Sequence, residues 1–382
     1  NLYPIDLVNV LDQLDPRDIP LLTLLGMGDP KAGASSLHQE CVMTQHRWRS
    51  DELIPNETTL AAAYTAAAGT ITVASGTGKY FQVGDHIRIG EGATDNIARI
   101  TAINTDTDVI TITAGVGSST DAAAASGKKV VKLGQAAIQG ATALSNPRTT
   151  DIDEEYNYTQ ILGDVVRVPG TVEVVKKYFN ITSEADRQEL KKFTELAIQL
   201  EKAAIYGTRL APASSYGGSF GGLVDYIRRI NSTVNDANSL LVNNSAAALT
   251  EATFKTLLRK VWLRGGKPTH VMVNGVQALL MGTWISPQVF RSRDETLGGV
   301  IMNAYETPFG QVGVVINRHI EESDLIVTQR DMIGIGPLVN RAFFSFELGK
   351  TGDSIDRQIV GEYTMEVHGA TRCHGMIYNL GT

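Results

Sequence analysis

Apolar residues change their spacing from region to region along this chain, and those changes mark its elements. Over 183 to 206, Leu190, Phe193, Leu196, Ala197, Leu200, Ala203 and Ala204 recur at intervals of three and four. Lys191, Lys192, Glu195, Glu201 and Lys202 fall mostly off that stripe, which is the pattern of an amphipathic helix. Ser183 and Asp186 are spaced like a capping box, and Glu184, Asp186 and Glu189 put negative charge where the helix dipole is positive. Gly207 then offers a residue able to close the helix in the left-handed conformation. A helix of that length spans about 36 Å. It reads as a spine, and nothing on it looks catalytic.

Elsewhere the period falls to two. From 57 to 135 an Ala-rich segment, Leu60 to Gly69, leads into short runs at Thr70–Val73, His86–Ile89, Asn96–Ile103, Val109–Thr113 and Lys129–Leu133, separated by turn residues such as Val83-Gly84-Asp85 and Asn104 to Asp108. A second Ala-rich stretch, Asp121 to Ser126, precedes the last run. This predicts a small antiparallel module, a barrel or a sandwich, inserted in a loop of a host fold, because loop-closure cost grows only slowly with length. In Arg357 to His368, Ile359, Gly361, Tyr363, Met365 and Val367 alternate with Glu362, Thr364 and Glu366, which predicts a strand with one apolar and one polar face. Met376-Ile377-Tyr378 supplies one more short strand.

The remaining segments are less regular. Residues 1 to 37 mix leucine pairs with Pro4, Pro16, Pro20 and Pro30, and read as an arm with too few local contacts to order itself, lying across its own body or a neighbour's. Residues 38 to 56 carry the alternating run Gln45-His46-Arg47-Trp48-Arg49-Ser50-Asp51, suited to an exposed strand. Tyr158–Gly163 and Val165–Val168 return to strand character before Pro169-Gly170. Beyond Gly222 a compact α+β region covers 223 to 341: a helix over Thr250 to Arg264, a buried strand His270–Val273, a helix Val276 to Met281, a hairpin about Thr307-Pro308-Phe309-Gly310, and a strand Asp324 to Thr328.

Composition narrows the function. With 382 residues and 43% hydrophobic content the chain can build sizeable cores. A net charge of −7 and a pI near 5.6 argue against a surface that grips polyanions; if nucleic acid is nearby, this chain is suited to contain it and not to grip it. Cys41 and Cys373 are too few for a disulfide framework, and a reducing compartment is the default. There is no apolar run of bilayer length and no basic-then-apolar leader. The chain starts at Asn1 with no initiator Met, which leaves open a short or longer segment removed before it.

Catalytic and metal chemistry find little support. Gly349-Lys350-Thr351 ends like a phosphate-binding loop, but Phe344 stands where that motif needs glycine. His38, Cys41 and His46 fit no standard zinc spacing, and His368, Cys373 and His374 read as strand and turn residues. The run Tyr216 to Gly222 has the wrong glycine spacing for a nucleotide fingerprint and reads as a connector. Glu362 and Glu366 share one strand face, yet no acid, base and nucleophile converge on them. The expectation is no enzyme, no cofactor and no metal.

Five motifs in order carry a resemblance: Asp15 to Leu22 in the arm, His46 to Leu53, Asn157-Tyr158-Thr159-Gln160-Ile161, Phe220-Gly221-Gly222-Leu223, and Lys350 to Ser354 with Gln358 to Thr364. The order resembles the major capsid (major head) proteins of tailed bacteriophages, of the Hong Kong 97-type fold, across nearly the whole chain apart from 57 to 135 and 231 to 249. The resemblance implies an α+β fold with an N-terminal arm at 1 to 37 and an extended loop at 38 to 156 carrying the inserted module. A peripheral domain would occupy 157 to 222, an axial domain 223 to 341, and C-terminal strands at 342 to 382 would return to the peripheral domain. It implies a virion structural protein (Caudoviricetes) whose copies form pentamers and hexamers of an icosahedral shell around double-stranded DNA. Portal, scaffolding and possible decoration proteins would be partners, and assembly would take place in the bacterial host cytoplasm, with no membrane. Arg47, Trp48, Arg49 and Asp51 on the loop stem, and Lys350, Asp353 and Arg357 near the last strands, are the candidate inter-subunit contacts. The three residues of the lysine to asparagine cross-link found in some members are not identifiable. An encapsulin-type compartment is the alternative of the same fold, and a nucleotide- or metal-dependent enzyme the alternative of another class.

Overall fold

The computed structural model describes residues 18–26, 40–51, 53–90, 96–136, 150, 152–175, 183–230, 239–284, 296–297, 300–301, 303–350 and 352–381. In chain order, a short helix α1 (Pro20–Leu24) precedes β1 (Gln45–Ser50). Six strands follow: β2 (Glu57–Thr59), β3 (Thr70–Thr72), β4 (Asp85–Ile89), β5 (Ile97–Asn104), β6 (Val109–Ala114) and β7 (Lys129–Gln135). The chain returns through β8 (Asp153–Tyr158) and β9 (Gln160–Pro169) to helices α2 (Gly170–Val174), α3 (Glu184–Tyr206) and α4 (Leu223–Ile230). Then come β10 (Leu241–Asn243), α5 (Glu251–Leu263), β11 (His270–Val273), α6 (Gly275–Thr283), β12 (Thr296–Leu297), β13 (Val300–Ile301), β14 (Asn303–Thr307), β15 (Gly310–Ile316) and β16 (Leu325–Thr328). The last strands are β17 (Ile333–Pro337), β18 (Phe344–Glu347), β19 (Ser354–Val367) and β20 (Gly375–Tyr378). These elements form two compact units, one from the described residues up to Trp48 and from Glu154 onward, the other from Arg49–Asp153.

The spine helix is α3. Ser183 accepts a bond from the Asp186 amide and caps its start, and Leu196, Leu200, Ala204 and Ile205 bury the inward stripe. Its end differs from expectation: Gly207 has φ −54°, outside the left-handed region. Glycine is required there by close approach, since a Cβ would meet Ala203 O at 2.4 Å and Phe220 O at 2.7 Å. Against α3 lies a four-stranded antiparallel sheet. β19 pairs along one edge with β9 and along the other with β18 and then β17. Leu162, Val166, Val168 and Ile359 face the helix and join its core.

The structure adds one fact that the alternation leaves open and corrects one expectation. The polar face of β19 is buried too: Glu362, Thr364 and Glu366 are 5%, 1% and 8% exposed. Residues at the turn between β8 and β9 satisfy two of them, with Thr159 Oγ1 donating to Glu362 at 2.6 Å and Thr364 Oγ1 donating to Tyr158 O at 2.8 Å, while Glu366 is bonded by His46 and His368, as burial of polar groups demands. The last strand, β20, does not rejoin this sheet. It lies between β10 and β16 in a six-stranded sheet ordered β10-β20-β16-β11-β15-β14. Gly375, Met376 and Ile377 are buried on both faces, which suits an interior strand, and a Cβ at Gly375 would meet Leu257 Cδ1 at 2.8 Å. Helix α5 covers this sheet with Phe254, Leu257, Leu258 and Val261.

Part of the expected arm is ordered against the chain's own body, while the rest of 1 to 37 lies outside the described residues. Leu21, Leu22, Leu24 and Leu25 are all at most 4% exposed. Burying them is worth about 1.5–3 kcal/mol each, of the same order as the cost of ordering residues 18–26 at about 1–2 kcal/mol each. The balance falls to Glu201 on α3, itself fully buried, whose carboxylate accepts the Leu21 and Leu22 amides at 2.8 Å each and Asn317 Nδ2 at 2.6 Å. It closes the start of α1, where amides lack intrahelical partners.

The second unit is a closed antiparallel barrel. Its order is β2-β7-β4-β5-β6-β3, and the outer strands meet: Ala61 N donates to Thr72 O and Ala74 N to Thr59 O, each at 2.9 Å. Ile71, Ile87, Ala98, Ile100, Ile110 and Val130 fill it at 2% exposure or less. Their alternation with Thr and charged residues is the period of two that the sequence displays.

Candidate functional site

Side chains left open to water mark where a chain can meet a partner, so they are taken first. On the stem, Arg47 Nη1 donates to Glu154 Oε1 at 2.8 Å, and its guanidinium lies 5.9 Å from the Tyr156 ring. Trp48 is only 6% exposed, with its ring centroid 5.8 Å from Tyr226 and 5.7 Å from His368, so its surface is used within the chain. Asp51 is exposed and accepts a long bond of 3.4 Å from Thr150 Oγ1. Arg49 is exposed at the start of the second unit. These four residues share β1 and its end but not one surface.

Behind the stem sits a buried polar cluster. Glu366 accepts from His46 Nε2 and, at 3.0 Å, from His368 Nε2. Hydrogen bonds to Cys41 and then to Glu366 push the His46 imidazole up to about 10, against the opposing effect of burial. Burial alone would raise Glu366, but the bonds from His368 and His46 outweigh it and hold the carboxyl down to about 2. His374, wholly enclosed, is pushed down to about 4 by burial. His46 and His368, both bonded to Glu366, fasten β1 to the end of β19. Among the described residues no group of three His, Cys, Asp or Glu side chains is placed to hold a metal ion.

The residues near the last strands separate. Arg357 is held inside the chain: its Nη1 donates to Asp186 and Glu189 on α3 at 2.6 Å each, which raises its already high pKa. Lys350 and Asp353 stand at the other end of the β9–β19 pair, where both line a cleft of about 470 Å³ beside α2. No helix follows Lys350 to receive a phosphate; the chain enters β19 instead.

One open apolar surface was not singled out from the sequence. Residues paired across an antiparallel sheet share a face, and the register places Phe344 beside Val360 and Gly163, and Phe346 beside Gln358 and Val165. Phe344 and Phe346 stack with centroids 5.8 Å apart yet are 39% and 42% exposed, and Val165 and Ile161 on the same face are 44% and 61% exposed. The signal was present in Phe343-Phe344-Ser345-Phe346, whose alternation marks a strand but not which side of it is covered. An apolar sheet face of this kind is a hallmark of an interaction surface.

Comparison with known proteins bears on what this surface is for. The model of the SU10 major capsid protein family matches residues 1–381. No curated protein matches. Among solved structures, the capsid asymmetric unit of cyanophage A-1(L) is similar over 100% of this chain and 98% of that chain, with a TM-score of 0.55 at 12% identity. The capsid of the native GTA particle is similar over 100% of this chain and 96% of that one, with a TM-score of 0.51 at 9% identity. At these identities both likenesses concern the fold, which is the Hong Kong 97-like capsid fold. The SrpI encapsulin from Synechococcus elongatus PCC 7942 covers 60% of this chain and 78% of its own with a TM-score of 0.41 at 13% identity, too low a score to carry the encapsulin alternative. With one family model spanning the sequence and the fold matched along its whole length, the chain belongs to the SU10 major capsid protein family and is a shell protein of a tailed-phage capsid.

Proposed function

We propose that copies of this chain associate as pentamers and hexamers into an icosahedral shell that encloses double-stranded DNA without reading its sequence, and that the chain's role is structural and not catalytic. The observation that carries this reading is the open face formed by Ile161, Val165, Phe344 and Phe346, 39% to 61% exposed on a sheet whose other side is packed against α3. An apolar face left to water is a liability in a monomer and becomes a contact in a closed assembly. The net charge of −7 suits a wall around packaged duplex, since a basic lining would hold the phosphates. Arg47, Arg49, Asp51, Lys350 and Asp353 are the proposed polar contacts between copies. Trp48 and Arg357 support them from inside, one fixing the stem and the other tying β19 to α3. Portal and scaffolding proteins, and decoration proteins on the finished shell, are the proposed partners, with assembly in the host cytoplasm.

Electron microscopy and sedimentation of the purified chain test this. The expected result is closed shells of uniform size. A compact monomer under every assembly condition overturns the reading.

A further inference from the structure

At one end of the four-stranded sheet, β9 runs into α2 and a loop from β18 runs into β19. The two are held together by the Gly170 amide, which donates to Asp353 O at 3.1 Å. Between them opens the cleft of about 470 Å³, lined by Gly170, Glu173, Val174, Lys350, Asp353 and Ile355 among others. Three features of this cleft are out of keeping with a surface that faces only water. Helix α2 buries none of its residues, and Val174 and the following Val175 are 87% and 59% exposed. Lys350 and Asp353 carry opposite charges on one rim, yet among the described residues neither has an ion-pair partner, including each other. The Asp353 carboxylate lies directly over the backbone of Gly170, where a Cβ would come within 2.5 Å of Oδ1; glycine there leaves the carboxylate room.

We infer that this cleft is a self-complementary contact in which Lys350 of one copy pairs with Asp353 of the next about a rotation axis, with Val174 packed beside the pair. The inference rests on the proposed self-association and specifies one of its contacts. The occupant is a second copy of this chain because of the charge arrangement. A patch bearing one cation and one carboxylate, neither paired among the described residues, matches its own image across a two-fold axis, each copy giving a lysine and receiving one. A foreign partner of single sign would satisfy one of the two groups and leave the other opposed by like charge. An exposed apolar residue beside such a pair excludes water from it, the arrangement in which an interfacial ion pair contributes most.

Charge reversal within the full chain tests the pairing, with wild-type shell formation scored first; a wild type that forms no shells overturns self-assembly itself. Given wild-type shells, Lys350→Asp alone and Asp353→Lys alone are each expected to lower shell yield about tenfold or more, and the double swap in one chain to restore it to within about twofold. Thermal unfolding of the soluble subunits verifies that each variant folds. If a reversal does not fold, Lys350→Gln, Asp353→Asn and their combination replace it, the expected result being a double variant no worse than either single one. Single reversals that assemble at wild-type yield, a double swap that stays defective while folded, or neutral variants whose losses simply add, would each overturn the pairing.

Discussion

The barrel of the second unit and the four-stranded sheet of the first are both antiparallel, but they end in opposite ways. In the barrel the outer strands β2 and β3 bond to each other and Ile71, Ile87, Ala98, Ile100, Ile110 and Val130 turn inward, so the ring of strands closes on itself. In the sheet, one face meets α3 and the other leaves Phe344, Phe346, Val165 and Ile161 in water. One region completes itself and the other waits for a neighbour. The lesson is that an open face is found by asking where packing stops, which residue type alone does not reveal.

The sharpest way to break this contrast is to make the open face polar. Phe344→Asp combined with Phe346→Asp is expected to abolish shells, at least about tenfold in yield, while the subunit's melting temperature stays within a few degrees, because the rings contribute little to the chain's own core. Sedimentation and thermal melts read the two effects separately. In the barrel the same logic runs backwards. Ile100→Ala empties a fully buried site and is expected to destabilise the second unit by about 2–5 kcal/mol, seen as an earlier denaturation step, with shell formation by the folded protein unchanged. Glu201→Ala falls next, at about 2–4 kcal/mol, since two amides and Asn317 lose their acceptor; protease cleavage near residue 26 should rise in parallel.

The smallest effect concerns pH at the stem. Glu366 is depressed to about 2 from 4.5, so its contribution is present above pH 4.5 and lost as pH falls through 2. His46 is raised from 6.5 to about 10, so its contribution is complete below pH 6.5 and lost as pH rises through 10. The pair therefore contributes most between about pH 4.5 and 6.5. His46→Gln is expected to flatten the melting temperature of the first unit across both flanks, as followed by calorimetry from pH 3 to 10.

How much of this was legible beforehand follows from the range of the interactions. Ser183, the leucine stripe and Gly207 mark α3 because caps and periodicity are local, and the barrel strands are marked by alternation in the same way. The docking of Leu21 and Leu22 on Glu201 spans 180 and 179 residues, and no local pattern distinguishes a glutamate that caps a distant helix from one on a solvated face. That the polar side of β19 is covered has no local mark for the same reason, since Thr159 and Tyr158 reach it from about 200 residues away. Of the candidate contacts, Arg and Trp were chosen by residue type. The structure places Trp48 and Arg357 in intrachain packing because both find partners within reach, whereas Lys350 and Asp353 have no ion-pair partner among the described residues.

Amide hydrogen exchange on the soluble subunit and on the assembled shell weighs both halves of the contrast in one experiment. Slower exchange in β9 and β18 after assembly, with β4, β5 and β6 unchanged, is the outcome predicted here. Equal protection of β9 and β18 in both states would contradict it.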